Sequence, residues 1–180
     1  VCAGLMSMFL VGRHTRAEEE SGRDELLRAA PVGRYAPMTA ALLNAMLANV
    51  ALGALVGGGL VAYGLAAADS VGLGAGLTVV GWFFCATALV AVQLTSSTRA
   101  AYGLAGSVIG LAYVLRAVGD VTSHVLSWLS PIGWYQAMHA FSGLRWWPAL
   151  LPVLAFTAVV GLARLVFDRR DFGSGVLAAR

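Results

Sequence analysis

Four apolar stretches, each about the length that a helix needs to cross a bilayer, restrict what this chain can fold into. They run over residues 38–63, 73–94, 100–118 and 148–167 and take up most of the 180 residues. Hydrophobic residues make up 59% of the chain and charged residues 12%. Soluble domains are about half apolar and a quarter charged, so water is not the main solvent here. The fold class this predicts is all-α: a polytopic transmembrane helical bundle. Residues 1–12 are apolar but too short to span. They read as the end of a span that begins upstream, which makes the chain a piece of a longer protein.

Orientation follows from arginine, which supplies all twelve basic residues. Short loops on the cytoplasmic side carry excess basic residues. With the polar block 13–34 inside, Arg99, Arg164, Arg169, Arg170 and Arg180 also fall inside, leaving only Arg116 and Arg145 outside. The opposite orientation inverts that ratio. The expectation is a multi-pass protein of the bacterial plasma membrane with a cytoplasmic C-terminus. The arginines lie between apolar spans and form no continuous basic face, which argues against a nucleic-acid partner. Membrane lipid is the expected surrounding.

The block "RHTRAEEESGRDELLRAAPVGR" holds five arginines and five acids. Thr15 followed by Glu18 has the spacing of a capping box. Glu19 with Arg23, and Asp24 with Arg28, are acid-before-base pairs one helical turn apart, an order that supports a helix in water. Leu26 and Leu27 add a small apolar face, and Pro31 with Gly33 end the segment. Such a helix is either a solvated topology marker or a docking element for a groove on a cytosolic partner.

Inside the spans, three GxxxG pairs, Gly53 with Gly57, Gly72 with Gly76 and Gly106 with Gly110, permit close helix approach in lipid. Asn44 and Asn49 in the first full span, and Gln93 at the inner end of the second, should face helices or a cavity. No carboxylate lies near the middle of a span, which disfavours an ion-coupled carrier. Arg116 can pair with Asp120 four residues on. Cys2 and Cys85 have no ligand-like spacing and read as packing residues.

Residues 119–147 are too polar to span and too apolar for an ordinary loop. His124 and Trp128 lie one turn apart, Pro131 interrupts, and Trp134, Met138 and Phe141 make a second apolar stripe. Two short interfacial or re-entrant helices with a Pro-Gly hinge fit this pattern. His124 and His139 lack the companions of a metal site, so no metal is expected. No arrangement of nucleophile, base and acid points to catalysis, and no catalytic residue is assigned.

Two stretches, "RHTRAEEESGRDELLRAAPVGR" and "LSWLSPIGWYQAMHAFSGLRWWPALLPVL", followed by "RRDFGSGVL", resemble the first half of actinobacterial ABC-type-2 exporter permeases of the polyketide antibiotic, tetronasin and multidrug efflux kind. The resemblance implies six spans per half, with this chain holding the end of the second and the third to sixth. It implies that Glu18, Glu19, Glu20, Arg23, Leu26, Leu27 and Arg28 belong to a coupling helix on a separate ABC ATPase subunit, present in two copies. His124, Trp128, Pro131, Trp134 and Tyr135 would belong to outer re-entrant helices that form an extracellular gate. A second permease half and a small-molecule cargo, amphiphilic or hydrophobic, complete the implied partners, with Asn44 and Asn49 as possible cavity lining.

The sequence has no GxxxxGK[ST] phosphate loop. It is therefore not expected to be an enzyme or to hold a cofactor: ATP and Mg would be bound by the partner. Two other readings compete with export. One is a non-transporting membrane scaffold or assembly protein, and the other, weaker one is an ion-coupled secondary transporter.

Overall fold

The computed structural model describes residues 1–20, 33, 35–122 and 124–168, without the side chains of residues 19, 20, 124 and 168. The described residues contain eight α-helices and no strand. Helix α1 (Cys2–Arg13) turns at His14 and Thr15 into the short α2 (Arg16–Glu20). Three long helices follow: α3 (Ala36–Ala62), α4 (Ala67–Leu94) and α5 (Thr98–Val121). Two short ones, α6 (His124–Trp128) and α7 (Pro131–Ala137), precede a 3-10 turn at Trp147–Ala149 and α8 (Leu150–Asp168). Among the described residues, four helical segments are long and apolar enough to cross a membrane: Ala36–Ala62, Ala67–Leu94, Thr98–Val121 and Trp147–Phe167. The all-α bundle expected from the sequence is the fold observed.

Helix α4 is the hub, with 56% of its apolar window buried against 22%, 22% and 11% for the other three. It touches α1, α3, α5 and α8. Small residues make this possible. A Cβ on Gly53 of α3 would stand 2.5 Å from the Gly74 carbonyl, and one on Gly57 would stand 2.9 Å from the Ser70 carbonyl. Without side chains there, the α3 and α4 backbones meet directly, the close approach on which helix association in lipid relies. Thr78 Oγ1 adds a hydrogen bond to the Asn49 carbonyl at 3.2 Å. Phe84, Leu89 and Val92 of α4 are buried among Val11, Leu42 and Ile109 from α1, α3 and α5.

The three glycine pairs have different surroundings. Gly53 and Gly57 form the α3–α4 seam. Gly72 and Gly76 receive side chains, not a helix backbone: Leu144 fills the space above Gly72, and Tyr135 with Met138 the space above Gly76. Gly110 has open space where a side chain would stand, and Gly106 meets only Met8 Sδ at 3.8 Å.

Helix ends differ from the apolar runs in instructive ways. Helix α4 begins at Ala67, six residues before its apolar run, with Asp69 in its first turn, where the partial positive charge of a helix start favours a carboxylate. Pro131 opens α7 instead of interrupting a helix. Ser130 caps it by accepting the Ile132 amide at 3.2 Å, and a first-turn proline fits because its missing N–H has no helical partner to lose. The expected stripe ends early as well. Met138 is buried, but Phe141 is exposed, beyond the end of α7, and has a left-handed φ of 67°.

Candidate functional site

The bundle has an arginine-rich end and a tryptophan-rich end, joined by α4. At the arginine-rich end, α1 stops where Thr15 Oγ1 donates back to the Val11 carbonyl at 2.6 Å. His14 Nδ1 lies 3.2 Å from Glu18 Oε1, so Glu18, proposed from the sequence as half of a capping box, reaches the histidine one turn before it. Arg16 departs most from expectation for a charged block. It is only 2% exposed, and its Nη2 donates to the carbonyl of Thr95, the residue that ends α4.

The corner between α1 and α2 is seated on α5 too. The Tyr102 ring lies over Gly12, and Phe9 meets Tyr102 edge to face at 5.2 Å. Of the suggested coupling residues, Glu18 is placed by its side chain and Glu19 and Glu20 by their backbone in α2. Arg23, Leu26, Leu27 and Arg28 lie outside the described residues.

Midway along the bundle the two asparagines part company. Asn44 is exposed on the side of α3 that faces away from the other described helices. Asn49 is 1% exposed in the α1–α3–α4 seam, where its Nδ2 lies 2.9 Å from Ser7 Oγ, 2.9 Å from the Ala45 carbonyl and 3.3 Å from Cys85 Sγ. Ser7 in turn donates to the Ala3 carbonyl at 2.7 Å. This small polar knot fixes the register of three helices. Gly81 leaves room for it, since a Cβ there would run into the Asn49 amide. Gln93 is buried beside Met38, its Nε2 3.5 Å from the sulfur.

At the tryptophan-rich end, α6 wedges between the end of α5 and the start of α7. Gly119 and Gly133 admit the Ser127 backbone from either side. The pair expected between Arg116 and Asp120 forms at 2.8 Å, and Arg116 Nε also donates to Gln136 Oε1 at 2.7 Å, tying α5 to α7. Ser130, completely buried, donates to the Ala112 carbonyl at 2.6 Å while it caps α7. Trp134 Nε1 donates to the Trp128 carbonyl at 2.6 Å, and Trp128 stacks on Trp147 with ring centroids 5.4 Å apart. Pro131 is buried at the start of α7. Tyr135 packs over Gly76, and burial raises the pKa of its phenol, which keeps the hydroxyl protonated. The side chain of His124 lies outside the described set. A cleft of about 490 Å³ lies between Asp120, Ser127, Trp128, Gly133, Gln136 and His139.

The loop after α7 is strained and held down. His139 and Phe141 have φ of 50° and 67°, a left-handed conformation that costs non-glycine residues roughly 1–3 kcal/mol each. Three contacts offset that cost. The Arg145 amide donates to the Met138 carbonyl at 2.8 Å, the Phe141 amide donates to Asp69 Oδ1 at 3.0 Å, and Leu144 fills the notch at Gly72. Among the described residues no three His, Cys, Asp or Glu side chains converge as metal ligands would.

Sequence reading did not single out Arg16, Ser130 or the roles of Asp69 and Leu144. Ser130 followed by Pro131 is a helix-start signature that could have been read. A buried arginine whose partner is a backbone carbonyl 79 residues away leaves no mark in its local sequence.

No family model matches the chain. Over 173 residues, 96% of its length, it is 45% identical to the multidrug efflux system permease protein of Mycobacterium tuberculosis, and it spans 32% of that protein. Four helices able to cross a membrane and close identity over nearly the whole chain together make this a membrane protein homologous to part of a mycobacterial efflux permease, in agreement with its resemblance to actinobacterial ABC-type-2 permeases.

Proposed function

We propose that the chain is part of the membrane-spanning permease of an ATP-driven exporter that moves amphiphilic or hydrophobic compounds, antibiotics and drugs among them, out of the cell. The observation that carries this reading is the 45% identity to a multidrug efflux permease over 96% of the chain. The arginine-rich end then faces the cytoplasm, as the distribution of basic residues favours. A separate ABC ATPase subunit binds the nucleotide and docks on the block that contains Glu18, Leu26 and Leu27. Nucleotide binding moves that block, and the helices exchange an inward-open for an outward-open cavity.

The tryptophan-rich end serves as the outer gate. Its helices α6 and α7 are short, and the strained loop after them is held by a few contacts, such as the bond from the Phe141 amide to Asp69. Segments that move in function are drawn from the weakly held part of a structure. Of the two asparagines, Asn49 is packed in a helix seam, which leaves the exposed Asn44 as the one to line a cavity formed with the rest of the permease.

The test is the complete permease reconstituted in lipid with its ATPase. Changing Leu26 and Leu27 together to Asp should abolish the increase in ATP hydrolysis that the wild-type permease confers, while insertion and folding persist. An ATPase that neither binds the wild-type permease nor responds to it would return the charged block to a topological or scaffolding role.

A further inference from the structure

Arg16 sits where a cation is most useful and least expected. Thr95 ends α4, and the last carbonyls of a helix lack intrahelical partners and carry its partial negative charge. Helix α4 has no basic residue in its own last turn. Arg16, the first residue of α2, supplies the cation from another part of the chain and is buried while doing so. The turn it grips is short and stiff. Only residues 95–97 separate α4 from α5, with the Thr95 hydroxyl bonded to the Ala91 carbonyl and Ser97 capping α5 through the Ala100 amide.

Beyond that turn runs α4, 28 residues and about 42 Å of continuous helix. Its far end carries Gly72 and Gly76, into which Leu144, Tyr135 and Met138 fit, and Asp69, which holds the strained loop. One rigid element therefore joins the seat of Arg16 to the notches of the tryptophan-rich end.

We propose that Arg16 is a positioning residue for the coupling step: it fastens the start of the charged segment to the α4–α5 turn, so that motion of that segment is passed along α4 to the loop and short helices at the other end. This rests on the coupling reading above.

The experiment is hydrogen exchange of the complete permease with its ATPase in lipid nanodiscs, without nucleotide and with ATP plus vanadate. In wild type, trapping should change exchange both in residues 13–20 and in residues 131–149. In Arg16→Met the change at 13–20 should persist while that at 131–149 falls about fivefold or more, the range of ordinary site-to-site coupling. Arg16→Lys, which keeps a cation at the helix end, should restore most of it. Should Arg16→Met not assemble, Arg16→Gln fills the same place and is read the same way. An unchanged response at 131–149 overturns the proposal, as does a loss shared equally by both ends and matched by lower thermal stability, which would mark a packing role only. No change at either end in wild type would refute the coupling reading itself.

Discussion

The seam between α3 and α4 and helix α5 both carry glycines at four-residue spacing, yet their surroundings differ. At Gly53, Gly57 and Gly74 a single methyl group would strike a neighbouring backbone, whereas at Gly110 it would meet open space and at Gly106 only Met8 Sδ, 3.8 Å away. The spacing permits close approach but does not supply a partner. What makes the first row a seam is the rest of α4: its small residues let four neighbours reach it, and the polar knot of Ser7, Asn49 and Cys85 sets their register. Helix α5 has a single packed side, built on Ala101, Ala105, Ile109 and Ala112.

The contrast is broken most directly at Gly74. Replacing it with Val puts a side chain against the Gly53 carbonyl, and the cost should reach the upper end of overpacking penalties, about 3 kcal/mol or more. Thermal unfolding of the detergent-purified permease would read this as a large fall in midpoint or as loss of folded protein. A Val tolerated at Gly74 would mean that the seam does not hold the bundle.

Asn49→Ala should cost less, about 1 kcal/mol, because polar contacts between membrane helices are individually modest. The same thermal assay would show a small shift, and a double change with Ser7→Ala should cost less than the two single changes summed, since both act in one knot. Strict additivity would separate the two residues.

The smallest effect is expected at Gly110. Leu there should leave the stability of this bundle within about 0.5 kcal/mol of wild type, as for most substitutions that meet nothing. A large loss would sharpen the comparison differently, by showing that another part of the permease covers this row.

How far such contrasts can be read in a sequence depends on the range of the interaction. The four spans were legible because length and hydropathy are summed over about twenty residues and need no partner. Arg116 with Asp120 was legible because both lie on one helix, a turn apart. Asn44 and Asn49 look alike as letters, and only the placement of α1 and α4 separates the exposed one from the buried one. Arg16 looked like one more solvated charge for the same reason: its partner is the end of a distant helix. The apolar run begins later than α4 because Asp69 and Ser70 lower the local hydropathy while remaining compatible with the first turn of a helix. Asp69 gains its role only when the chain returns at Phe141.

Export driven by ATP is tested most directly in inside-out membrane vesicles that carry the complete permease and its ATPase. Accumulation of a hydrophobic fluorescent dye should require added ATP, persist when the proton gradient is collapsed, and disappear in the Leu26→Asp, Leu27→Asp double variant. Uptake that continues without ATP and stops on collapse of the gradient would contradict it and point to an ion-coupled carrier.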